Sequence, residues 1–359
     1  MGMSKQGLAF LKKLTATMGP SGYEEETARV FREEASAFAD EARTDVHGNT
    51  IVRVKGKRGG GPVVMLCGHY DEIGFLVTFI DDKGFLRIAP IGGWDPQIPQ
   101  GQRVRVRTAK GDIPGVLGKM PIHVMDADQR KSVTQLKKMW VDIGAKDRKD
   151  AEKRVDIGDP IVIDQGLAEL GNGLWAGRAF DDRAGAWAVL EAARRLAADR
   201  DFAADVYAVG TVQEEIGSRG AITSSFGIAP EVGIAVDVTF ATDHPMMSDA
   251  EMTEGRVSLG GGPVLSRGAN INPVLFSLLA ATAKKRKIAV QRVADGRATP
   301  TDADPLQISR AGVAAALVSV PLRYMHTPGE VVSLDDLDAT AELLAQTVRA
   351  MKAGQSWVP

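Results

Sequence analysis

The chain has 359 residues, 44% hydrophobic and 25% charged, the profile of a water-soluble globular protein with room for a large core and two domains. Lys and Arg number 44 against 46 Asp and Glu. A formal net charge of -2 gives no reason to expect nucleic acid or an anionic membrane as partner, and no stretch is long and apolar enough to span a bilayer.

Cys67 is the only cysteine, so no internal disulfide can form, which fits a reducing compartment. Residues 1–13 lack an apolar run ending in a small-residue cleavage site. The expected location is cytoplasmic. Leu8, Leu11 and Leu14 share one face of a helix expected over residues 5–17. Gly19-Pro20-Ser21-Gly22 stops it. Ser21 is then the expected cap of a second helix reaching about residue 39, with Glu24, Glu25 and Glu26 near its positive end. Strands are expected at 44–47 and 50–54, around Gly48-Asn49. The apolar run 62–67 reads as a central strand of a mixed or parallel sheet, delivering His69, Asp71 and Glu72 at its end.

From about Ile73 short strands follow closely, at 75–80, 85–91, 103–108 and 113–118, with 155–163 as the last. The charged piece 146–154 reads as a solvated helix face. After about Gly177 strands and helices alternate again. A helix is expected at 184–198, strands at 205–211 and 232–236, a helix at 273–287, a strand at 315–320 and a closing helix at 334–352. The pattern is an α/β domain interrupted by a β-rich insert of roughly a hundred residues. Gly260-Gly261-Gly262-Pro263 lacks the Lys-Ser/Thr of a phosphate loop, so nucleotide binding is not expected.

Chemistry-bearing residues collect at strand ends. His69 and Asp71 follow 62–67, Asp181-Asp182 precedes a helix, Glu214-Glu215 follows 205–211, Asp237 follows 232–236 and His326 follows 315–320. Ligands of α/β sheets gather beyond the carboxyl ends of strands. Two imidazoles with several carboxylates suit a pair of zinc-like ions, and a bridging carboxylate holds such ions close together. The plain readings stand beside this one. Asp181 and Asp182 can cap a helix, and Glu214-Glu215 can be a solvated edge. On an extended chain adjacent side chains point apart, so the two glutamates can also do different jobs. Of the other histidines, His47 adjoins a hairpin, His123 reads as structural, and His244 lies close enough in sequence to Asp237 to serve the substrate side.

Six stretches occur in order along nearly the whole chain: Gly19-Pro20-Ser21-Gly22-Tyr23, His69-Tyr70-Asp71-Glu72-Ile73-Gly74, Ala179-Phe180-Asp181-Asp182-Arg183, Val212-Gln213-Glu214-Glu215-Ile216-Gly217, Ala235-Val236-Asp237-Val238 and Arg323-Tyr324-Met325-His326-Thr327-Pro328. As an ordered set they resemble the TET-type dinuclear metallo-aminopeptidases, which include glutamyl and deblocking aminopeptidases. The resemblance implies a three-layer αβα catalytic domain with a mixed central sheet, residues 1-72 and 169-359. It implies a small β-barrel-like insert at 73-168, serving dimerisation or as a lid. It further implies peptide substrates, a homo-oligomer from dimer up to dodecamer, and two divalent metal ions per subunit. His69, Asp181 and Asp237 would hold one ion and Asp181, Glu215 and His326 the other, with Glu214 as general base. Asp71 would orient His69, and the Asp181–Asp182 peptide would be cis. Zn, Co or Mn all accept such ligands. Tyr70, Ser218 and Pro300 depart from the usual residues of the family, which bears on substrate preference rather than on the ligands.

Three other readings remain. One is a dinuclear deacetylase or carboxypeptidase. Another is a glycosidase using the Glu pair, although adjacent residues are poorly placed to flank one glycosidic bond. The third is a metal-free binding protein.

Overall fold

The computed structural model describes residues 2–359. An eight-stranded mixed sheet forms the centre, in the spatial order Glu41–Thr44, Thr50–Lys55, Asp205–Thr211, Val63–His69, Val232–Phe240, Ala314–Leu322, Val264–Gly268, Gln291–Asp295. The middle four strands are mutually parallel. Thr50–Lys55 and Val264–Gly268 flank them antiparallel. The parallel strands read as near-continuous apolar runs because both faces are covered.

Alternation along each strand sorts side chains into two cores. Val64, Leu66, Ile234, Val236 and Val318 join the helices Lys5–Ala16, Phe180–Ala198 and Leu334–Ala350 in one core. Met65, Cys67, Ala235 and Leu317 point to the opposite face, with Ala303 and Leu306 of the short Ala303–Gln307 helix. Three layers result, as expected. His69 continues the Met65–Cys67 series and Asp237 continues from Ala235. Both therefore emerge on that second face.

The intervening strands close into a barrel: Gly74–Ile80, Leu86–Ile91, Trp140–Asp142, Gly111–Gly118, Arg103–Thr108 and Pro160–Ile163, the last pairing back to the first. Phe75, Val77, Leu86, Val104, Val106, Val141 and Ile161 fill it. Among the described residues, no helix is long and apolar enough to cross a membrane.

Several expectations needed correction. The second helix is Glu25–Ala35, shorter than the reading to residue 39. Ser21 does not cap it; its hydroxyl donates to Asp71 Oδ2 at 2.6 Å instead. The final barrel strand starts only at Pro160, because a turn through Gly158, at φ +99°, precedes it. Strand 232–236 runs on to Phe240, so Asp237 lies within it rather than after it. Val264–Gly268 and Gln291–Asp295 were missed. The second carries Val293 as its only large apolar residue, a weak strand signal at a sheet edge.

Where barrel, sheet and helices meet, Glu72 is buried between Arg178 and Arg183. Arg183 Nη2 lies 2.8 Å from Glu72 Oε1, and the Gly19 N–H donates to that same oxygen at 3.1 Å. Arg183 also donates to the carbonyls of Tyr70, Leu14 and Thr17. Burial would raise the Glu72 carboxyl, but the two guanidiniums hold it below its ordinary range. One cluster thus ties the first helix, the end of the Val63–His69 strand and the start of the Phe180–Ala198 helix. Glu72→Gln leaves two buried guanidiniums without their anion and is expected to cost about 3–5 kcal/mol of stability. Denaturant unfolding checks this; a loss under about 1 kcal/mol would show that the cluster is not what holds the junction.

Candidate metal centre and active site

The residues singled out at strand ends converge at one cleft. His69 ends its strand, paired in register with Thr211. The Val232–Phe240 strand pairs with Val63–His69 only as far as Ala235 and Cys67. Beyond that point the two strands are unpaired, and Asp237 Oδ1 lies 3.9 Å from His69 Nε2. Such a gap between parallel strands is where α/β sheets gather ligands.

Asp181 reaches the same place from the Phe180–Ala198 helix. Its Oδ1 lies 3.2 Å from His69 Nε2 and its Oδ2 3.3 Å from His326 Nε2. Glu215 Oε1 stands 3.4 Å from His326 Nε2. Two groups of metal-capable side chains result, His69 with Asp181 and Asp237, and Asp181 with Glu215 and His326. Within each, the donor atoms lie within 4.8 Å of one another. The helix start is irregular. Asp181 and Asp182 have non-helical backbone angles, and the peptide bond between them is cis, as the resemblance implied. Asp182 does cap the regular part: its Oδ1 accepts the Gly185 N–H at 3.0 Å. A Cβ at Gly68 would stand 2.6 Å from the carbonyl carbon of Gly185. Only glycine there lets the strand end approach the helix closely enough for His69 to meet Asp181.

Glu214 and Glu215 correct the extended-chain reading. They lie beyond the Asp205–Thr211 strand, after Gln213 has turned left-handed at φ +55°. Loop geometry, not strand alternation, separates them. Asp71 holds that loop, its two oxygens accepting the N–H groups of Glu214 at 3.0 Å and Glu215 at 3.2 Å. Asp71 Oδ1 also lies 3.4 Å from His69 Nδ1, so the expected contact with His69 exists, but gripping the loop is a second task. Glu214 Oε1 accepts from the Ser218 hydroxyl at 3.0 Å, and its Oε2 is 3.8 Å from His69 Nε2.

Two further acids do similar work: Glu24, read from the sequence only as a charge near a helix start, and Glu330, to which the sequence assigned no role. Glu24 accepts the N–H groups of Gly22 and Gln213. Buried Glu330 accepts those of Asp181 at 3.2 Å and His326 at 3.1 Å. Ala179, Gln213, Ser218, Tyr324 and His326 are all non-glycine residues with positive φ around this site. Such backbone is costly and persists where neighbours enforce it. The only sequence signal for Glu330 was its place four residues after His326. His244 is half-buried, its ring 5.3 Å from that of Tyr324, and it does not line the cleft. His123 is exposed on the barrel.

The charge is concentrated. Burial pushes Glu214 and Glu215 up to about 7, despite His69 beside the first and His326 beside the second. Burial and nearby acids push Asp237 up as well. Asp181 is held down against its burial by hydrogen bonds to His326 and His69. His326 is raised to about 11 by Asp181 and Glu215. Among the described residues, no lysine or arginine lines the cleft.

Residues 48–343 match the model of a single family, described as M42 glutamyl aminopeptidase. The chain belongs to that family. Its M42 relatives include a lysyl aminopeptidase of Pyrococcus furiosus, 39% identical, with 95% of this chain and 96% of that one covered. A TET aminopeptidase from a marine sediment Thaumarchaeota archaeon has a solved structure with a TM-score of 0.90 at 33% identity, covering 96% of this chain and 97% of that one. The Pyrococcus horikoshii TET1 peptidase, described as able to assemble into a tetrahedron or a large octahedral shell, superposes at a TM-score of 0.84 with 32% identity, covering 96% and 99%. The M42 chain is thus an aminopeptidase by family, a hydrolase acting on peptides from the amino end.

Burial and the neighbouring Asp71 push Glu24 of this M42 chain up to about 8, from an ordinary 4.5. The unfolded chain ionises this acid at the lower value. Stability therefore falls as pH rises from about 4.5 to 8 and levels off above. Glu24→Gln keeps an acceptor for the two N–H groups but cannot ionise. It is expected to gain stability relative to the parent across that window, by a few kcal/mol at most. Denaturation midpoints below and above the window check this, and an equal difference at both pH values would contradict it.

Proposed function

We propose that the cleft is a dinuclear metal centre that hydrolyses the N-terminal peptide bond of peptides, with Glu214 as general base. One observation carries the reading: the two oxygens of Asp181 face two different imidazoles. The donor chemistry fits. Two imidazoles and several carboxylates, converging without a lysine or arginine, suit borderline divalent cations such as Zn, Co or Mn. His69, Asp181 and Asp237 would hold one ion, and Asp181, Glu215 and His326 the other. When bound, the pair supplies polarisation of the scissile carbonyl and acidification of the attacking water.

The chain's own groups do the rest. Glu214 accepts a proton from the water as its oxygen bonds to the carbonyl carbon. It returns that proton to the leaving nitrogen as the C–N bond breaks. The Ser218 hydroxyl orients the Glu214 carboxylate. Asp71 and Glu330 keep the ligand-bearing loops in register through backbone N–H groups. We assign residues 1-72 and 169-359 to the catalytic domain and 73-168 to an insert serving dimerisation or as a lid. The shells described for TET1 favour a homo-oligomer here, between dimer and dodecamer.

Asp181→Ala is expected to strip both ions, read by metal analysis of the purified protein; two ions retained would refute the bridging role. Glu214→Gln is expected to keep the metals and lower kcat by about 10² or more. Undiminished turnover would remove Glu214 from the mechanism. Hydrolysis of N-acyl amino acids in preference to free-amine peptides would point to a deacetylase instead.

A further inference from the structure

The cleft that holds Asp181 runs across the sheet to its far edge. Its volume is about 800 Å³, room for more than one residue of a peptide. Leu317 and Ser319 line it from one strand and Ser266 from the next. Val293, Ala294, Asp295 and Gly296 then line it at the edge strand Gln291–Asp295. Neighbours along a strand point apart, so four consecutive residues cannot all reach a cleft through side chains of one face. At this edge the main chain itself forms the wall.

The ladder identifies which residue turns its main chain outward. Gln291 pairs in parallel register with Val264, and its N–H donates to the Pro263 carbonyl. In a parallel ladder alternate residues bond to the neighbouring strand. Gln291, Val293 and Asp295 therefore bond to Val264–Gly268, while Arg292 and Ala294 direct N–H and C=O away from it. Among the described residues, no strand pairs on that side. Gly255 covers the edge at Arg292: a Cβ added there would stand 3.2 Å from Val293 Cγ1 and 3.9 Å from the Arg292 carbonyl oxygen. The edge at Ala294 is open. Ala294 is exposed, and its N–H and C=O have no hydrogen-bond partner among the described residues. A Cβ added to Gly296, next along, would meet nothing within 4 Å.

We propose that a peptide substrate lies extended across this cleft and pairs its main chain with Ala294, as a strand residue added to the edge of the sheet. The inference rests on the aminopeptidase reading of the site. The strands carrying Asp237 and Ala294 are three places apart in the sheet, roughly 14 Å at about 4.8 Å per strand. An extended peptide advances about 3.3 Å per residue, so Ala294 meets about the fourth residue past the bond held at Asp181. The pairing reads no side chain. It accepts any sequence that is extended and gives longer peptides an advantage over dipeptides. It also rejects a chain end folded into helix, whose N–H and C=O groups are already taken.

The test uses the full-length protein supplied with a divalent metal, and a series of peptides from dipeptide to octapeptide with one N-terminal residue and an alanine tail. Release of the first residue is followed by chromatography. With two main-chain bonds to gain, kcat/KM is expected to rise about tenfold once the peptide passes about five residues, and then to level off. In the octapeptide, N-methylation of the one amide that faces Ala294 is expected to cancel about threefold of that gain, and N-methylation of the last amide to cancel none. Ala294→Pro removes an N–H that the ladder does not use, and is expected to lower the octapeptide-to-dipeptide ratio of kcat/KM about threefold. Ala294→Val keeps both main-chain groups and is expected to keep the ratio. If the proline variant does not fold, the N-methyl series on the parent protein decides alone. A kcat/KM that stays flat from dipeptide to octapeptide, an octapeptide indifferent to N-methylation along its tail, or a folded Ala294→Pro variant with the parent's ratio overturns the pairing while leaving the aminopeptidase site standing. No hydrolysis of any peptide with any divalent metal overturns the site reading and this inference with it.

Discussion

Asp181 is held between two imidazoles, and much of the molecule serves to keep it there. A carboxylate that faces one partner with each oxygen needs both partners delivered independently. His69 comes from the end of a central parallel strand, while His326 comes from the loop after another. Asp181 itself comes from the irregular start of a helix packed across the sheet. Strand ends and helix starts meet at the carboxyl edge of a parallel sheet, so that edge is where three separate segments can converge.

Convergence creates an electrostatic problem. Many acids gather in a region of low dielectric, and buried like charges repel. The structure answers it in two ways. Asp71, Glu24 and Glu330 accept pairs of backbone N–H groups, which satisfies them and fixes the loops at once. Glu72 is matched by two guanidiniums a short way behind the cleft. Asp181, Glu214, Glu215 and Asp237 lack such pairs, and their oxygens face the two imidazoles.

The barrel belongs to the same arrangement. Its first strand begins at Gly74, soon after His69, and the loop after Leu86–Ile91 returns to the site. A Cβ at Gly93 would stand 3.5 Å from the His326 ring, and one at Gly92 3.3 Å from Glu215 Oε2. Trp94 stacks on Phe75 in the barrel and donates to the Gly74 carbonyl, which anchors that return. The insert therefore forms part of the wall beside His326.

Much of this was legible in the residues alone. The buried strands announced themselves as apolar runs, the helices by their period, and the division into sheet and barrel by the spacing of turns. His69, Asp181, Glu214, Glu215, Asp237 and His326 stood out because each follows or precedes such an element. What the sequence could not carry was which acid meets which partner. Glu24, Glu330 and Asp302 look like any surface carboxylate until the chain folds them inward; Asp302 then bonds to the Thr211 hydroxyl at 2.5 Å. The separate placement of the Glu214 and Glu215 side chains comes from a left-handed turn at Gln213 and the grip of Asp71. Local periodicity encodes which face of an element is buried. Only tertiary packing decides which buried groups share one space, because those contacts join residues far apart in the chain.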